Sequence, residues 1–286
     1  MKCIFSVDVE DWFHILDLPA TPDLAGWDRL PSRVERNFLK LLELFAERQV
    51  RITCFFLGWI ADRFPHLVRT AWEFGHEIAS HGYAHRLVFR MTPQEFFDDA
   101  VRAKRTIEDS AGCEVIGYRA SGFSVTRETP WFFEYLVRAG YLFDSSVFPM
   151  SRGHGGLAGA DRAPHYVQTP CGNLMEFPIT LTDIVNIPVC LFGGGYLRLA
   201  PWPMIRHGAV KVLAEERPVI FYLHPREIDP NQPRLEMGYL RHFKSYVNLH
   251  TTEDKLKRIL SEFEFNTFAD FLTEAREHPV CAGAAR

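Results

Sequence analysis

Along the chain, short apolar runs alternate with longer stretches in which apolar residues recur every three or four positions. Short apolar runs predict buried strands, and the 3.6-residue period predicts helices with one covered face. Residues 2–9 form the first such run, ending in Asp8-Val9-Glu10-Asp11. A helix is expected over residues 34–48, where Phe38, Leu41, Leu42 and Phe45 share a face. Residues 51–57 read as a second strand, 65–74 as a helix stopped by Gly75, and 77–80 as a third strand. Thr92-Pro93-Gln94-Glu95 combines a capping box with proline at the first helical position, so a helix should run to about Ser110. A strand over 115–120, a helix over 130–139 and a strand over 141–144 continue the alternation. Beyond Ser146 the pattern loosens into a Gly-rich loop over 152–161, with strand-like pieces at 174–179 and 196–199. A clear strand over 218–224 then precedes helices at 253–263 and 268–276.

Strands alternating with helices predict parallel β/α units, here enough to close into a barrel. Composition narrows the function. With 47% apolar and 24% charged residues the chain is globular, and its net charge of −4 comes without a basic run. A nucleic-acid interface or a basic membrane-surface helix is therefore not expected. None of the six cysteines forms a C-x-x-C pair, which argues against a zinc ribbon or a redox motif. No apolar run approaches the ~18 residues of a membrane span. The first residues turn acidic before a signal peptide's apolar region could form, giving a cytoplasmic expectation.

In β/α barrels the active site lies where strands end. The predicted strands end in Asp8-Val9-Glu10-Asp11, in Ser80-His81-Gly82-Tyr83-Ala84-His85, in Tyr118-Arg119-Ala120-Ser121-Gly122-Phe123, in Asp144-Ser145-Ser146 and in Leu223-His224-Pro225-Arg226-Glu227. A lone His-x-x-x-His is weak, and a lone arginine or histidine is usually structural. Together they converge on one mouth. Two imidazoles plus one carboxylate suit a divalent metal, with zinc the best fit. A cation there would also relieve repulsion among Asp8, Glu10 and Asp11.

The ordered set VDVED, SHGYAH, GYRASGF, FDSS and YLH resembles the NodB-homology polysaccharide deacetylases, carbohydrate esterase family 4, and within them an exopolysaccharide-locus branch opening on an FDVEDWF-type segment. The resemblance implies a distorted (β/α)7-type barrel over residues 1–230, with a C-terminal extension over 231–286 packed on the same domain. It implies Asp8 as general base, His81 and His85 as metal ligands, Arg119 as the residue holding Asp8, and Asp144 as the residue orienting the general acid His224 and keeping it cationic. The family segment has two adjacent aspartates; here the third ligand is either Glu10, on the strand face of Asp8, or Asp11.

The implied reaction is hydrolysis of an N-acetyl group on an amino sugar of a polysaccharide or lipid-linked intermediate, with a backbone N–H near Phe123 helping to hold the oxyanion. Trp12, Phe13 and His14 follow the carboxylates so closely that at least one aromatic ring, with His14, is expected to wall the sugar site. The Arg- and Lys-bearing stretch over 241–248 suits an anionic carrier phosphate or uronic acid. Two rivals stand beside this reading: a metal-independent, allantoinase-like hydrolase of the same fold, which the pair His81 and His85 argues against, and an inactive glycan-binding module, which the presence of Asp8 and His224 argues against.

Overall fold

A computed structural model describes residues 2–18, 20–151 and 155–277. Residues 152–154 of the expected Gly-rich loop, and Cys281, lie outside the described residues. The first half runs β1 (Cys3–Val9), α1 (Val34–Ala46), β2 (Thr53–Phe56), α2 (Gly58–Arg63), α3 (Pro65–Glu73), β3 (Glu77–Ser80), α4 (Pro93–Ala111), β4 (Gly117–Tyr118), α5 (Phe132–Arg138) and β5 (Phe143–Asp144). Two hairpins follow, β6 (His165–Thr169) with β7 (Gly172–Glu176) and β8 (Thr182–Ile184) with β9 (Ile187–Val189). The chain closes with α6 (Gly194–Leu199), α7 (Trp202–Ala214), β10 (Ile220–Leu223), α8 (Tyr239–Tyr246), α9 (Thr252–Glu262), β11 (Phe265–Asn266) and α10 (Phe268–Glu277).

The main sheet has the order β10-β1-β2-β3-β4-β5-β7-β6, with β11 also paired to β1. Every pairing is parallel except the β6–β7 hairpin. The architecture is thus the expected α/β fold, a curled sheet whose end strands β10 and β6 are not paired to each other. It is a half-barrel rather than a closed ring.

The period of two along β1 decides where chemistry can sit. Phe5, Val7 and Val9 point to the core between sheet and helices, where they meet Phe38 and Phe45 of α1. Ile4, Ser6 and Asp8 alternate to the barrel interior. In that interior Ile4 packs with Phe55, Ala79, Phe143, Ile220 and Tyr222. By the same alternation His224 follows Tyr222 on the interior face of β10, beside β1, where Val7 pairs with Leu223. Phe268, at the start of α10, fills the floor against Phe55, Phe143 and Phe177.

The α4 capping box forms as expected, Thr92 and Glu95 exchanging hydrogen bonds. One expectation fails. Residues 196–199 form the end of α6, not a strand. Four residues of alternating polarity do not distinguish the two states, and the helix is what lets Arg198 reach the carbonyls of Lys244, Ser245 and Val247.

At the N-terminal ends of the strands, Glu77 ties α10 to the sheet. It accepts from Thr53 Oγ1 (2.5 Å) and from the backbone N–H groups of Phe268 and Ala269 at 3.0 and 3.2 Å. Burial nonetheless pushes its carboxyl up to about 7. Because the folded value lies above the unfolded one, the associated stability is present below about pH 4.5 and is lost as pH rises through about 7. The urea midpoint of the wild type should therefore decline from pH 5 to pH 8, and that of Glu77→Gln should decline less steeply. Parallel slopes for the two proteins would contradict this account.

Candidate active site

The strand ends place one oxygen at the centre of the mouth. Glu10 Oε1 lies 3.0 Å from His81 Nε2 and 2.8 Å from His85 Nε2. The three ligand atoms fall within 4.8 Å of one another, and all three residues are buried. Glu10 shares the strand face of Asp8. His81 follows β3 directly, and its Nδ1–H donates to the carbonyl of Arg119 at 2.7 Å, which turns Nε2 toward Glu10. His85 reaches the same oxygen from a left-handed backbone (φ 51°), a strained conformation that the surrounding loop must enforce. Gly82 also has positive φ (75°), and a Cβ there would stand 3.0 Å from Asp99 Oδ2. Asp99 of α4 pins the loop by accepting from the N–H groups of Tyr83 and Ala84.

Burial alone would raise the Glu10 carboxyl, but facing His85 and His224, with hydrogen bonds from His81 and His85, hold it well below the usual range. Burial alone would lower His81, yet Asp8 and Glu10 raise it. Two imidazoles and a low-lying carboxylate are a donor set that fits a divalent metal, zinc among them. Asp11 belongs elsewhere. It accepts from Ser32 Oγ and from the N–H groups of Trp12, Arg33 and Val34, at the entry to α1. The alternative left open between Glu10 and Asp11 is thus resolved in position: Glu10 meets the histidines and Asp11 holds a helix start.

Asp8 is 2% exposed and bonds Arg119 Nη1 at 2.7 Å. Arg119 is fully buried; its Nη1 also donates to Ser6 Oγ, its Nε to the Ser145 carbonyl and its Nη2 to Ser145 Oγ. Its guanidinium lies 4.1 Å over the Phe55 ring. His224 Nε2 stands 3.9 Å from Asp8 Oδ2 and 3.8 Å from Glu10 Oε1.

The expected partner of His224 is corrected. His224 Nδ1–H donates to Glu227 Oε1 at 2.7 Å, and the second oxygen of Glu227 pairs with buried Arg198. Asp144 instead accepts from Ser146 and neighbours Glu176; burial pushes it up to about 6 and Glu176 well above its usual range. Glu227 wins because it lies three residues on, where the turn Pro225–Ile228 folds it back onto the histidine. The expected imidazolium is corrected too: burial lowers His224 to about 4, leaving the ring neutral near pH 7 with its Nε2 lone pair facing Asp8.

Two further expectations change. Trp12 and Phe13 lie in the core, 6% and 0% exposed, the indole N–H of Trp12 donating to the Pro31 carbonyl. A pocket of about 330 Å³ beside the cluster is lined instead by His14, Trp27, Ala84, His85 and Arg86, with Leu24 and neighbouring loop residues. His14 Nδ1 accepts from the Asp11 N–H, which leaves Nε2 as a buried donor with no partner among the described residues. The N–H of Phe123 itself donates to the Ala120 carbonyl within its own turn. Arg241 reaches the carbonyls of Leu16 and Asp17 and so braces α8 against the loop after β1. Arg198 and Asp99 escaped the sequence reading, and Arg226 and Glu227 stood in it only as polar residues past the last strand, without a role. For Glu227 a signal existed, since proline followed two residues later by glutamate marks a capped turn on His224.

Residues 25–141 match the family model for polysaccharide deacetylase, and residues 145–273 match a domain of unknown function, DUF3473. A peptidoglycan deacetylase-like protein, FGM2, of Gibberella zeae is 26% identical over 147 residues, which is 51% of this chain and 38% of that protein. A peptidoglycan-N-acetylglucosamine deacetylase of Bacillus cereus is 27% identical over 73 residues, 26% of each chain. The match therefore spans well under half of either relative's length. Among solved structures, a probable polysaccharide deacetylase from Pseudomonas aeruginosa superposes with a TM-score of 0.63 at 19% identity, covering 97% of this chain and 91% of that one. A PuuE allantoinase superposes with a TM-score of 0.64 at 17% identity, covering the same shares. These likenesses show the fold. Residues 25–141, less than half of the chain, are thus similar to the polysaccharide deacetylase family.

Proposed function

We propose that the protein is a metal-dependent N-deacetylase that hydrolyses acetamido groups on amino sugars of a polysaccharide or of its lipid-linked intermediate. The observation that carries this reading is the convergence of Glu10, His81 and His85 within 4.8 Å, beside the Arg119-held Asp8 and the Glu227-held His224. A purely structural histidine pair would not need an unpaired-face base and a second imidazole at the same mouth. The three residues would hold the metal, zinc being our assignment, and once bound it would polarise the acetyl carbonyl and the attacking water.

The chain's own groups account for the proton movements. Asp8 Oδ2, the oxygen left free by Arg119 Nη1, accepts a proton from water as the new C–O bond forms. The neutral His224 ring offers Nε2, 3.9 Å from that oxygen, to relay the proton to the sugar nitrogen as the C–N bond breaks. Acetate and a free amine leave. Glu227, accepting from Nδ1, fixes the ring and stabilises it while it carries the extra proton. His14 and Trp27 supply the wall expected of the neighbouring aromatics.

Metal content separates the ligands. His81→Ala and Glu10→Ala should each purify without stoichiometric zinc and without activity. Asp11→Ala should keep the metal and lose about 1 kcal/mol of stability or more, as expected for a lost helix-start acceptor. Stoichiometric zinc in Glu10→Ala, measured by plasma emission, would overturn the ligand set.

Roles separate by kinetics. Asp8→Asn should keep the metal and lose roughly 10²–10⁴ in kcat, the usual worth of a general base. Glu227→Gln should shift the pH profile of acetate release and lower kcat, whereas Asp144→Asn should leave the profile's position unchanged. The reverse pattern would restore Asp144 as the orienting residue.

A further inference from the structure

Arg226 stands two residues beyond His224, on the turn that carries Glu227. Its Nε and Nη1 are buried and make no hydrogen bond among the described residues, and no ion pair includes its side chain. Burial lowers this guanidinium below its ordinary value, and Glu10 is close enough to act on it. Its charge in turn bears on His224. The surrounding carboxylates are already taken. Glu227 pairs with Arg198 and His224, Asp8 with Arg119, Glu10 with the two imidazoles, and Asp229 with Arg33 and Arg36.

Two buried guanidinium N–H groups without an acceptor cost free energy, and among the described residues no side chain or carbonyl accepts from them. Arg226 lies on the turn that follows His224, within electrostatic reach of His224 and Glu10, and Nη2 is not among its buried unpaired atoms. An anion carried by a ligand would supply the missing acceptors. A planar, permanently charged guanidinium matches a carboxylate best.

We propose that Arg226 is an anion-binding subsite that selects glycans in which a carboxylate-bearing sugar adjoins the N-acetylated residue. This rests on the deacetylase reading for the position of the sugar, and it moves the anion recognition expected of residues 241–248 to a different side chain. Arg241 is occupied by backbone carbonyls; Arg226 is not.

The test uses the zinc-loaded full chain and two matched N-acetylated oligosaccharides, one with a neighbouring uronic acid and one with that carboxyl reduced to the alcohol. The wild type should prefer the acidic glycan by about tenfold or more in kcat/KM, chiefly through KM, as expected for one charge-assisted hydrogen bond. In Arg226→Gln the ratio should fall to about one, without a lowered Tm, because an unpaired charge has been removed. Equal losses on both glycans, a wild type with no preference, or a preference for a phosphate ester over the uronate would overturn the proposal. Calorimetric binding of the same pair separates this from the reaction itself. Acidic-glycan binding that Arg226→Gln loses, without acetate release from either glycan, would sustain the subsite and sink the deacetylase reading. Acetate release with no discrimination would do the opposite.

Discussion

Arg119 is fully buried, and its donors are directed to Asp8, Ser6 and Ser145 while its own carbonyl accepts from His81. One residue thereby sets both the orientation of the candidate base and the tautomer of a candidate ligand. The charge is tolerable because it is paired with Asp8, ringed by oxygens and laid over Phe55. Removing either partner would strand the other charge in a dry interior, at a cost of about 3–5 kcal/mol. The Asp8–Arg119 pair is therefore less a source of stability than a constraint that fixes where a proton can be taken.

The sheet supplies the rest of that constraint. Alternation along β1 puts Asp8 and Glu10 on the interior face, and parallel pairing with β10 brings His224 alongside. Parallel strands end together, so the loops after β1, β3, β4 and β10 share one mouth. The second half of the chain is part of this arrangement: β10, α6 and the turn Pro225–Ile228 contribute His224, Arg198 and Glu227. Residues 25–141 alone hold neither His224 nor its support.

Much of this was legible because the chemistry follows the strands, and buried strands announce themselves as apolar runs. Asp8, His81, His85, Arg119 and His224 all stand at the ends of such runs or within a few residues past them. What resisted reading depended on side-chain reach. Asp144 also ends a strand, yet it turns to Ser146 and Glu176, while Glu227 folds back on His224 from three residues away. Asp11 and Glu10 are adjacent carboxylates, and only the point where the strand breaks assigns one to the histidines and the other to α1. Trp12 and Phe13 were placed by proximity, but proximity along the chain does not settle which side of a turn a ring takes. The 196–199 segment was too short for its period to distinguish strand from helix.

The central claim is that Glu10, His81 and His85 together hold a metal at the mouth where Asp8 and His224 meet. X-ray absorption at the zinc edge of the zinc-loaded protein tests it most directly. The account predicts one zinc per chain with two imidazole nitrogens at about 2.0–2.1 Å and carboxylate or solvent oxygen completing the shell. A shell containing sulfur, or one without imidazole scattering, would contradict it.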